Sequence, residues 1–513
     1  MNTPLPPSTQ PLSADLLVIG GGINGAGIAR DAAGRGLSVL LCEQGDLGEG
    51  TSSRSSKLIH GGLRYLEHGE FRLVREALIE REVLLANAPH LIRPMRFVMP
   101  QDARLRSARL VRLGLWLYDH LGGRERLPGT RRIDLRQAPE GQPLKDVYEQ
   151  AFEYSDCWVD DARLVLLNAL DAQARGATIL TRTAFVGASH TAGRWQAQLR
   201  DATSGALRHV TARALVNAAG PWVEQVLQGL PQLPQPLSLR LVKGSHIVVP
   251  KFWAGPQAYL LQHTDRRVVF MTPYEGAYAL IGTTEMPYEG DAAAAQISEA
   301  EIGYLCEVVN RYLRQPIQPS DVVHAFAGVR PLYDDHRDNP SAVTRDYFFA
   351  LSGSSTGEPP PLLSIYGGKI TTFRQLAEHA LQKLAPFLPP MRAAWTAVAA
   401  LPGGDLPGGD FDAALQAWCH EQPWMPPAMA ERWLHNYGTR ARLVLGEARS
   451  LTELGRDFGG TLTEREVTYL RQHEWAQSAE DILWRRSKCG LHMSAAQRQQ
   501  LADWLGEPLS PPR

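Results

Sequence analysis

The chain has 513 residues, enough for roughly two to four domains with sizeable cores. Apolar residues make up 44%, charged residues 21% and aromatic residues 8%, which is typical of a soluble globular protein and excludes a disordered or fibrous chain. Lys and Arg (53) nearly balance Asp and Glu (54), and this argues against a nucleic-acid partner.

The N-terminal residues 1–14 are rich in Pro, Ser and Thr and contain no basic residue, so they predict a disordered lead-in rather than a secretory signal. No run approaches the roughly 20 apolar residues that a spanning helix needs. The five cysteines are odd in number and show no C-x-x-C spacing, which argues against a disulfide framework and against a zinc site. We therefore predict a protein of a reducing compartment, with no metal site.

A βαβ unit built around glycines is the first predicted structure. Leu16–Ile19 is a short apolar strand, Ala26–Gly34 a small-residue helix, and Leu37–Cys42 a second strand. Between them, Gly20–Gly25 fits G-x-G-x-x-G, in which the glycines allow a tight turn and a close approach of pyrophosphate to the helix N-terminus. Glu43 ends the second strand, where a carboxylate binds ribose hydroxyls. This unit predicts a dinucleotide site without separating NAD from FAD.

The remaining elements follow from hydrophobic periodicity and turn residues. In chain order we predict a surface helix at Arg72–Ala88, a loop-rich stretch at Pro89–Gly141, a strand or turn and then an amphipathic helix within Tyr154–Ala174, an antiparallel ribbon within Ala177–Val216, strands at Ser245–Val249, Arg267–Met271 and Tyr278–Gly282, a loop at Ser352–Pro361 and a strand at Leu362–Tyr366. After the Gly/Pro-rich segment 402–409 the composition becomes helical, which predicts a separate domain at 410–508.

Two later segments favour FAD over NAD, and one earlier segment is the densest polar constellation in the chain. Leu215–Pro221 is an apolar strand that ends in small residues, and Leu363–Thr372 is a strand, a Gly-Gly turn and a helix start with Lys369, whose charge can stabilise a reduced flavin. Thr51–Tyr65 combines hydroxyl groups, glycines, His60, Arg64 and Tyr65 and could hold pyrophosphate, ribityl chain and substrate. The alternative for Leu363–Thr372 is an ordinary strand–helix turn with a surface lysine, and the alternative for Thr51–Tyr65 is a flexible Ser-rich linker.

Two further charged segments need interpretation. Asp160 and Asp161 are interpreted as caps of the helix that starts near Ala162, rather than as catalytic carboxylates. Segment 104–136 contains nine arginines and three acids interleaved with Leu, Trp and Tyr, a pattern typical of binding to an anionic lipid surface. The alternative is a solvated helix whose apolar side packs on the core.

The motifs DLLVIGGGINGAGIARDAAGRGLSVLLCE, TSSRSSKLIHGGLRYLEHGEFRLVREAL, EYSDCWVDDARL, VKGSHIVVP, IGTTE, GVRPL, TRDY and GGKITTFRQLAEHAL resemble those of the bacterial aerobic, FAD-dependent glycerol-3-phosphate dehydrogenases. The resemblance extends from about Asp15 to beyond Trp504. It implies a mixed α/β fold: a Rossmann-like FAD-binding domain of the glutathione-reductase type, an antiparallel substrate (cap) domain and a C-terminal helical domain.

The resemblance also implies how these domains divide the chain. We expect the FAD-dependent region at 15–400, with FAD-binding segments 15–100, 150–236 and 345–395 and cap segments 101–149 and 237–344. The implied reaction oxidises sn-glycerol 3-phosphate to dihydroxyacetone phosphate and passes electrons to ubiquinone or another membrane quinone. The implied location is the inner face of the cytoplasmic membrane, bound peripherally from the cytoplasm, and a homodimer is common among similar enzymes.

Residue types suit this chemistry, since a phosphate dianion needs arginine forks and removal of the hydroxyl proton needs a base such as histidine. The expected catalytic residues are Arg330, near the developing carbonyl oxygen, and His246 and His60, the two contenders for the base. The expected substrate-binding residues are Arg64, Tyr65, Arg345 and Lys369. The expected residues for non-covalent FAD are Gly20, Gly22, Asn24, Gly25, Glu43, Thr51, Ser52, Ser56, Lys57, Gly61, Gly62, Leu63, Phe185, Ala219, Gly220, Gly368, Lys369, Ile370 and Thr371.

Rival functions remain open at this point. A glycerol-3-phosphate oxidase would pass electrons to oxygen instead of quinone. An amine or amino-acid oxidase of the same FAD superfamily would have no phosphate for the Arg330, Arg345 and Lys369 group. A non-catalytic FAD-binding protein at the membrane would hold a flavin that no phosphate ester reduces.

Overall fold

The computed structural model describes residues 12–102, 105, 107–230, 239–265, 267–333, 346–353 and 358–507. The strands are β1 (Leu12–Ile19), β2 (Val39–Cys42), β3 (Leu58–Ile59), β4 (Ile92–Pro100), β5 (Arg131–Asp134), β6 (Gln150–Val159), β7 (Thr178–Leu180), β8 (Thr183–Thr191), β9 (Arg194–Asp201), β10 (Leu207–Asn217), β11 (Leu239–Pro250), β12 (Ala258–Gln262), β13 (Val268–Tyr274), β14 (Tyr278–Gly282), β15 (Met286–Pro287), β16 (His324–Tyr333), β17 (Phe348–Ser352), β18 (Leu362–Tyr366), β19 (Asp457–Gly459) and β20 (Leu462–Thr463). The helices are α1 (Ile23–Gly34), α2 (Phe71–Asn87), α3 (Ala108–Leu121), α4 (Asp161–Ala174), α5 (Val223–Gln228), α6 (Glu299–Asn310), α7 (Phe373–Leu384), α8 (Phe411–Glu421), α9 (Pro427–Tyr437), α10 (Ala441–Leu445), α11 (Glu464–His473) and α12 (Ala495–Leu505).

The first sheet is the dinucleotide-type sheet, in the order β17-β18-β10-β1-β2-β7. Strands β18, β10, β1, β2 and the edge strand β7 run parallel, while β17 at the other edge is antiparallel to β18. Alternate side chains of β1 face opposite ways: Leu16 and Val18 pack with α1, α4 and α7, and Leu17 and Ile19 pack with the β8–β9 ribbon. Two apolar faces covered in this way account for the continuous apolar runs of these strands.

The second sheet is largely antiparallel and has the order β15-β11-β14-β13-β12-β4-β6-β3, with β16 on β11 and β5 on β6. The strands predicted at Ser245–Val249, Arg267–Met271 and Tyr278–Gly282 are confirmed as parts of β11, β13 and β14. Strands β4 and β6 also belong to this sheet, although they lie in segments expected to form the FAD-binding domain. The sheet therefore draws on three separate parts of the chain.

Two local predictions were wrong. The segment Pro89–Gly141 is not loop-rich, because it contains β4, α3 and β5. Strand β4 includes Pro94 and Pro100 and pairs with β6 over nine residues, so tertiary pairing overrides its poor local signal. Helix α4 is buried from Asp161 to Ala172 rather than amphipathic. The cap prediction is confirmed for Asp160, whose side chain accepts the Arg163 N–H at 3.0 Å.

A separate apolar core marks the C-terminal helical domain, with Trp433, Tyr437, Leu454, Val467 and Leu501 among its buried side chains. In the described part of the chain, no helix is both long and apolar enough to cross a membrane.

Buried ion pairs join the C-terminal helices to the dinucleotide-type sheet and its helices. Arg163 on α4 makes two hydrogen bonds to Glu474, of 2.6 and 3.0 Å, and both side chains are fully buried. Asp46 accepts hydrogen bonds from Arg485 and Arg486, and Lys488 donates to Asp160. Because these charges are removed from water, each depends on its partner.

Replacing Glu474 with alanine should therefore destabilise the protein by about 3–5 kcal/mol, because it leaves the Arg163 charge buried and uncompensated. Urea unfolding followed by tryptophan fluorescence measures this loss. The control is Glu421→Ala, which removes an exposed pair with Arg442 and should cost less than about 1 kcal/mol. Equal effects of the two substitutions would contradict the role given to the Arg163–Glu474 pair.

Candidate active site

Glycine residues at the end of β1 leave no room for side chains. A Cβ on Gly25 would lie 1.9 Å from the Gly20 carbonyl oxygen, and Gly20 itself has φ +107° and faces the Ala218 carbonyl. The N-terminus of α1 is therefore brought tightly against the end of β1. Gly22, the N-cap of α1, is followed by the Ile23 N–H, which donates to the Ser52 hydroxyl at 3.0 Å. Backbone N–H groups at this helix start suit a pyrophosphate.

Glu43 follows β2 and accepts N–H bonds from Gly21 and Gly45, each at 2.7 Å. Burial raises the pKa of its carboxyl, and the two backbone donors oppose that rise. The Thr183 N–H donates to the Glu43 carbonyl oxygen, so Phe185, two residues further along β8, belongs to the same neighbourhood. The sequence predicts that the ribose and adenine of the cofactor lie in this neighbourhood.

The predicted cofactor residues converge at the carboxyl ends of β1, β10 and β18. Ala219 and Gly220 follow β10, while Gly368 and Ile370 follow β18. Asn24 connects these loops, because its Nδ2 donates to the Gly367 carbonyl oxygen at 3.2 Å. Its Oδ1 is buried and has no hydrogen-bond partner in the described chain. A glycine cradle with an unpartnered amide oxygen fits a bound dinucleotide, since buried polar atoms are normally satisfied.

The loop at 51–57 is held on both sides. The Thr51 hydroxyl donates to the Val329 carbonyl oxygen at 2.6 Å, and the Ser56 hydroxyl is hydrogen bonded to His246 Nε2 at 2.9 Å. The ammonium of Lys57, another residue predicted to lie at the cofactor, is buried and donates to Asp161 at 2.8 Å and to the Ser53 carbonyl oxygen. The Lys57 side chain thus anchors the 51–57 loop to Asp161, the first residue of α4.

A buried network positions the glycines that follow His60. The Gly61 N–H donates to the Tyr118 hydroxyl at 2.7 Å, and that hydroxyl donates to Asp156, which also pairs with Arg81 at 2.8 Å. A Cβ on Gly61 would lie 2.5 Å from the Leu78 side chain. Gly62 has φ +78° and starts the short helix that begins with Leu63. Sequence reasoning missed Tyr118 and Asp156 as positioning residues.

Cationic side chains meet at the border between the two sheets. The Lys369 ammonium lies 3.7 Å from the centre of the Tyr65 ring. Arg64 and Arg330 flank one carboxylate, that of Glu285, at 3.7 and 3.5 Å. Arg345 lies outside the described residues. Sequence reasoning also missed Glu285, although the acid ending the motif IGTTE was its signal.

The two candidate bases differ in exposure. His246 is 1% exposed and stacks on Phe326, and burial with the charges of Arg330 and Lys57 holds its pKa well below the ordinary value. His60 is half-buried, contacts the Phe270 ring edge-on, and its backbone is hydrogen bonded to the Thr371 hydroxyl. His60 is thus the histidine that a substrate could touch.

Comparison with known proteins agrees with this geometry. Residues 15–373 match the family model of FAD dependent oxidoreductases, and residues 396–507 match the C-terminal domain of alpha-glycerophosphate oxidase. A D-erythritol 1-phosphate dehydrogenase of Brucella abortus is 55% identical over 97% of this chain and 98% of the relative. A glycerol-3-phosphate dehydrogenase of Pseudomonas aeruginosa is 53% identical over 96% of this chain and 94% of the relative.

Among solved structures, the glycerol-3-phosphate dehydrogenase from Bacillus halodurans complexed with FAD has a TM-score of 0.74 and is 27% identical, covering 97% of this chain and 91% of that one. The mixed α/β fold with a C-terminal helical domain agrees with the sequence prediction.

Proposed function

Because the chain belongs to the family of FAD-dependent oxidoreductases, we propose that it is a dehydrogenase of a short polyol phosphate. The substrate proposed first is sn-glycerol 3-phosphate, which is oxidised at its secondary hydroxyl to dihydroxyacetone phosphate. When bound, FAD supplies the two-electron acceptor that this oxidation requires.

The observation that carries the proposal is that Arg64 and Arg330 share the Glu285 carboxylate while Lys369 lies over the ring of Tyr65, the residue next to Arg64. Three cations and a phenol suit a substrate that carries a phosphate dianion, because cationic side chains make the strong hydrogen bonds that phosphate oxygens accept. An amine or amino acid would leave this group without a dianion to bind. Relatives about half identical to this chain carry names of polyol-phosphate dehydrogenases.

His60 and Arg330 divide the proton and charge chemistry. His60 accepts the hydroxyl proton at a ring nitrogen, because it is the more exposed of the two histidines. Arg330 donates N–H bonds to the same oxygen as it becomes a carbonyl, where a fixed positive charge lowers the barrier. His246 supports the loop through Ser56.

A second substrate, D-erythritol 1-phosphate, is favoured by the 55% identity to a dehydrogenase of that name. It has the same phosphate-bearing carbon next to a secondary hydroxyl and is one CHOH longer. The two substrates therefore use the same cationic group and differ at the other end of the chain.

The test is the visible spectrum of the purified protein under anaerobic conditions, before and after each phosphate ester is added. A flavin band that bleaches at once is expected, and the faster ester is the better substrate. A band that neither ester bleaches would contradict the proposed function. Adding a quinone or oxygen to the bleached protein then separates a dehydrogenase from an oxidase.

Electron transfer to a membrane quinone is proposed from the surface of α3. Leu110, Leu113 and Trp116 are 59%, 55% and 56% exposed, and Arg109 and Arg112 lie exposed beside them. An apolar ridge edged by arginines suits the headgroup region of an anionic bilayer, where quinone is dissolved. We place the protein on the cytoplasmic side of the membrane, bound peripherally, and expect a homodimer from the resemblance.

Replacing Leu110, Leu113 and Trp116 together with glutamine should weaken binding to vesicles containing anionic lipid by about 100-fold or more, because the ridge loses its apolar area. Vesicle co-sedimentation measures this, and flavin reduction by the substrate serves as the check on folding. Leu443, 58% exposed on α10, provides the control Leu443→Gln. Unchanged vesicle binding in the triple variant would sink the proposal.

A further inference from the structure

Glu285 occupies a fixed place among the cations. It lies between β14 and β15, and the neighbouring Thr284 is anchored because the Ser245 N–H donates to its hydroxyl at 2.9 Å. Its carboxylate is 8% exposed and stands 3.5 Å from Arg330 and 3.7 Å from Arg64. Arg330 in turn lies opposite Val242 on β11, the strand that pairs with β15. The acid is thus built into the substrate region.

A phosphate cannot sit directly against this acid. Two unit negative charges about 4 Å apart repel strongly in a partly buried site. The phosphate is therefore assigned to the side where Lys369 and Tyr65 lie together, away from the Glu285 carboxylate. The part of the substrate that faces Glu285 must be neutral and able to donate a hydrogen bond. In a polyol phosphate that part is a hydroxyl group.

Resting on the proposed function, we infer that Glu285 is a specificity residue that accepts a hydrogen bond from the terminal hydroxyl of the polyol chain. Hydrogen bonds to a charged acceptor are among the stronger ones in proteins. A carboxylate here selects chains with a hydroxyl at the end opposite the phosphate. It also disfavours substrates that end in a carboxylate or in an unhydrated aldehyde, because neither group has an O–H to donate at neutral pH.

The test compares two substrates in three proteins. The substrates are sn-glycerol 3-phosphate and (2R)-2-hydroxypropyl phosphate, which differ only in the terminal hydroxyl. In the unsubstituted enzyme, kcat/KM from anaerobic flavin reduction should be about 10- to 100-fold higher for the first. In Glu285→Met that ratio should fall below about 3-fold, and in Glu285→Gln it should lie between, since a neutral amide accepts a weaker bond.

A role limited to positioning the arginines predicts something different. Both substrates would then lose the same factor, the ratio would stay unchanged, and the inference would be overturned. Glu285→Gln keeps the side-chain shape, so it serves if Glu285→Met fails to fold, and Glu289→Met on the exposed neighbouring segment is the control. If no polyol phosphate reduces the flavin of the unsubstituted enzyme, the proposed function fails. If both esters reduce the flavin with the same kcat/KM, only the inference about Glu285 fails.

Discussion

Replacement of Arg330 with methionine is expected to lower kcat/KM for the phosphate ester by about 1,000-fold. The guanidinium lies 3.5 Å from Glu285 in the substrate region, and its loss removes charge-assisted bonds to the substrate while leaving that carboxylate with one arginine fewer. A loss of about 4 kcal/mol corresponds to this factor. The measurement is the rate of anaerobic flavin reduction across substrate concentrations.

Two variants make this result specific. Arg330→Lys keeps the charge without the fork and should recover part of the loss, because an ammonium does not bind two oxygens in one plane. Arg314→Met removes an exposed arginine paired with Asp146 and should leave the rate unchanged. If Arg330→Met and Arg314→Met behaved alike, Arg330 would have no part in the site.

Replacement of His60 with alanine is expected to slow single-turnover flavin reduction by about 100- to 10,000-fold, as for loss of a general base. His246→Ala should slow the same step far less, since His246 is buried and contacts Ser56. Flavin content by absorbance shows whether either variant still binds its cofactor.

The pH profile separates the two histidines further. The pKa of His246 lies well below the ordinary value, so this ring is already neutral at mildly acidic pH and its ionisation produces no change in rate near neutrality. A pH dependence of the rate that reports the catalytic base should therefore persist in His246→Ala and disappear in His60→Ala. The reverse pattern would assign the base to His246.

The glycine turn proposed for the cofactor could be predicted because its signals are local. The glycines at 20–25 and Glu43 lie within one βαβ unit, and the closeness of Gly20 to Gly25 follows from the turn itself. The types of the side chains proposed to bind substrate, such as Arg64 and Lys369, follow from the chemistry of phosphate.

The missed residues depend on contacts that local patterns do not contain. Tyr118 meets Gly61 only because β4, which precedes α3, pairs with β6, and Pro94 hides that strand from sequence patterns. The ion-pair partner of Lys57, Asp161, lies 104 residues away in the chain, so local patterns do not predict that contact either. Glu285 acquires its role from two arginines on different elements.

Helix α3 carries both the exposed ridge and the buried Tyr118. One helix therefore combines the proposed membrane contact with the residue that positions Gly61. Its outward side chains Leu110, Leu113 and Trp116 form the proposed lipid contact, and the hydroxyl of Tyr118 on its inward side accepts the Gly61 N–H at 2.7 Å. A small roll of the helix as it settles into headgroups would move the loop after His60 by the same rotation. Membrane binding would then be coupled to the position of the loop after His60. Detergent, lipid or crowding could alter turnover through α3 without contacting the cofactor.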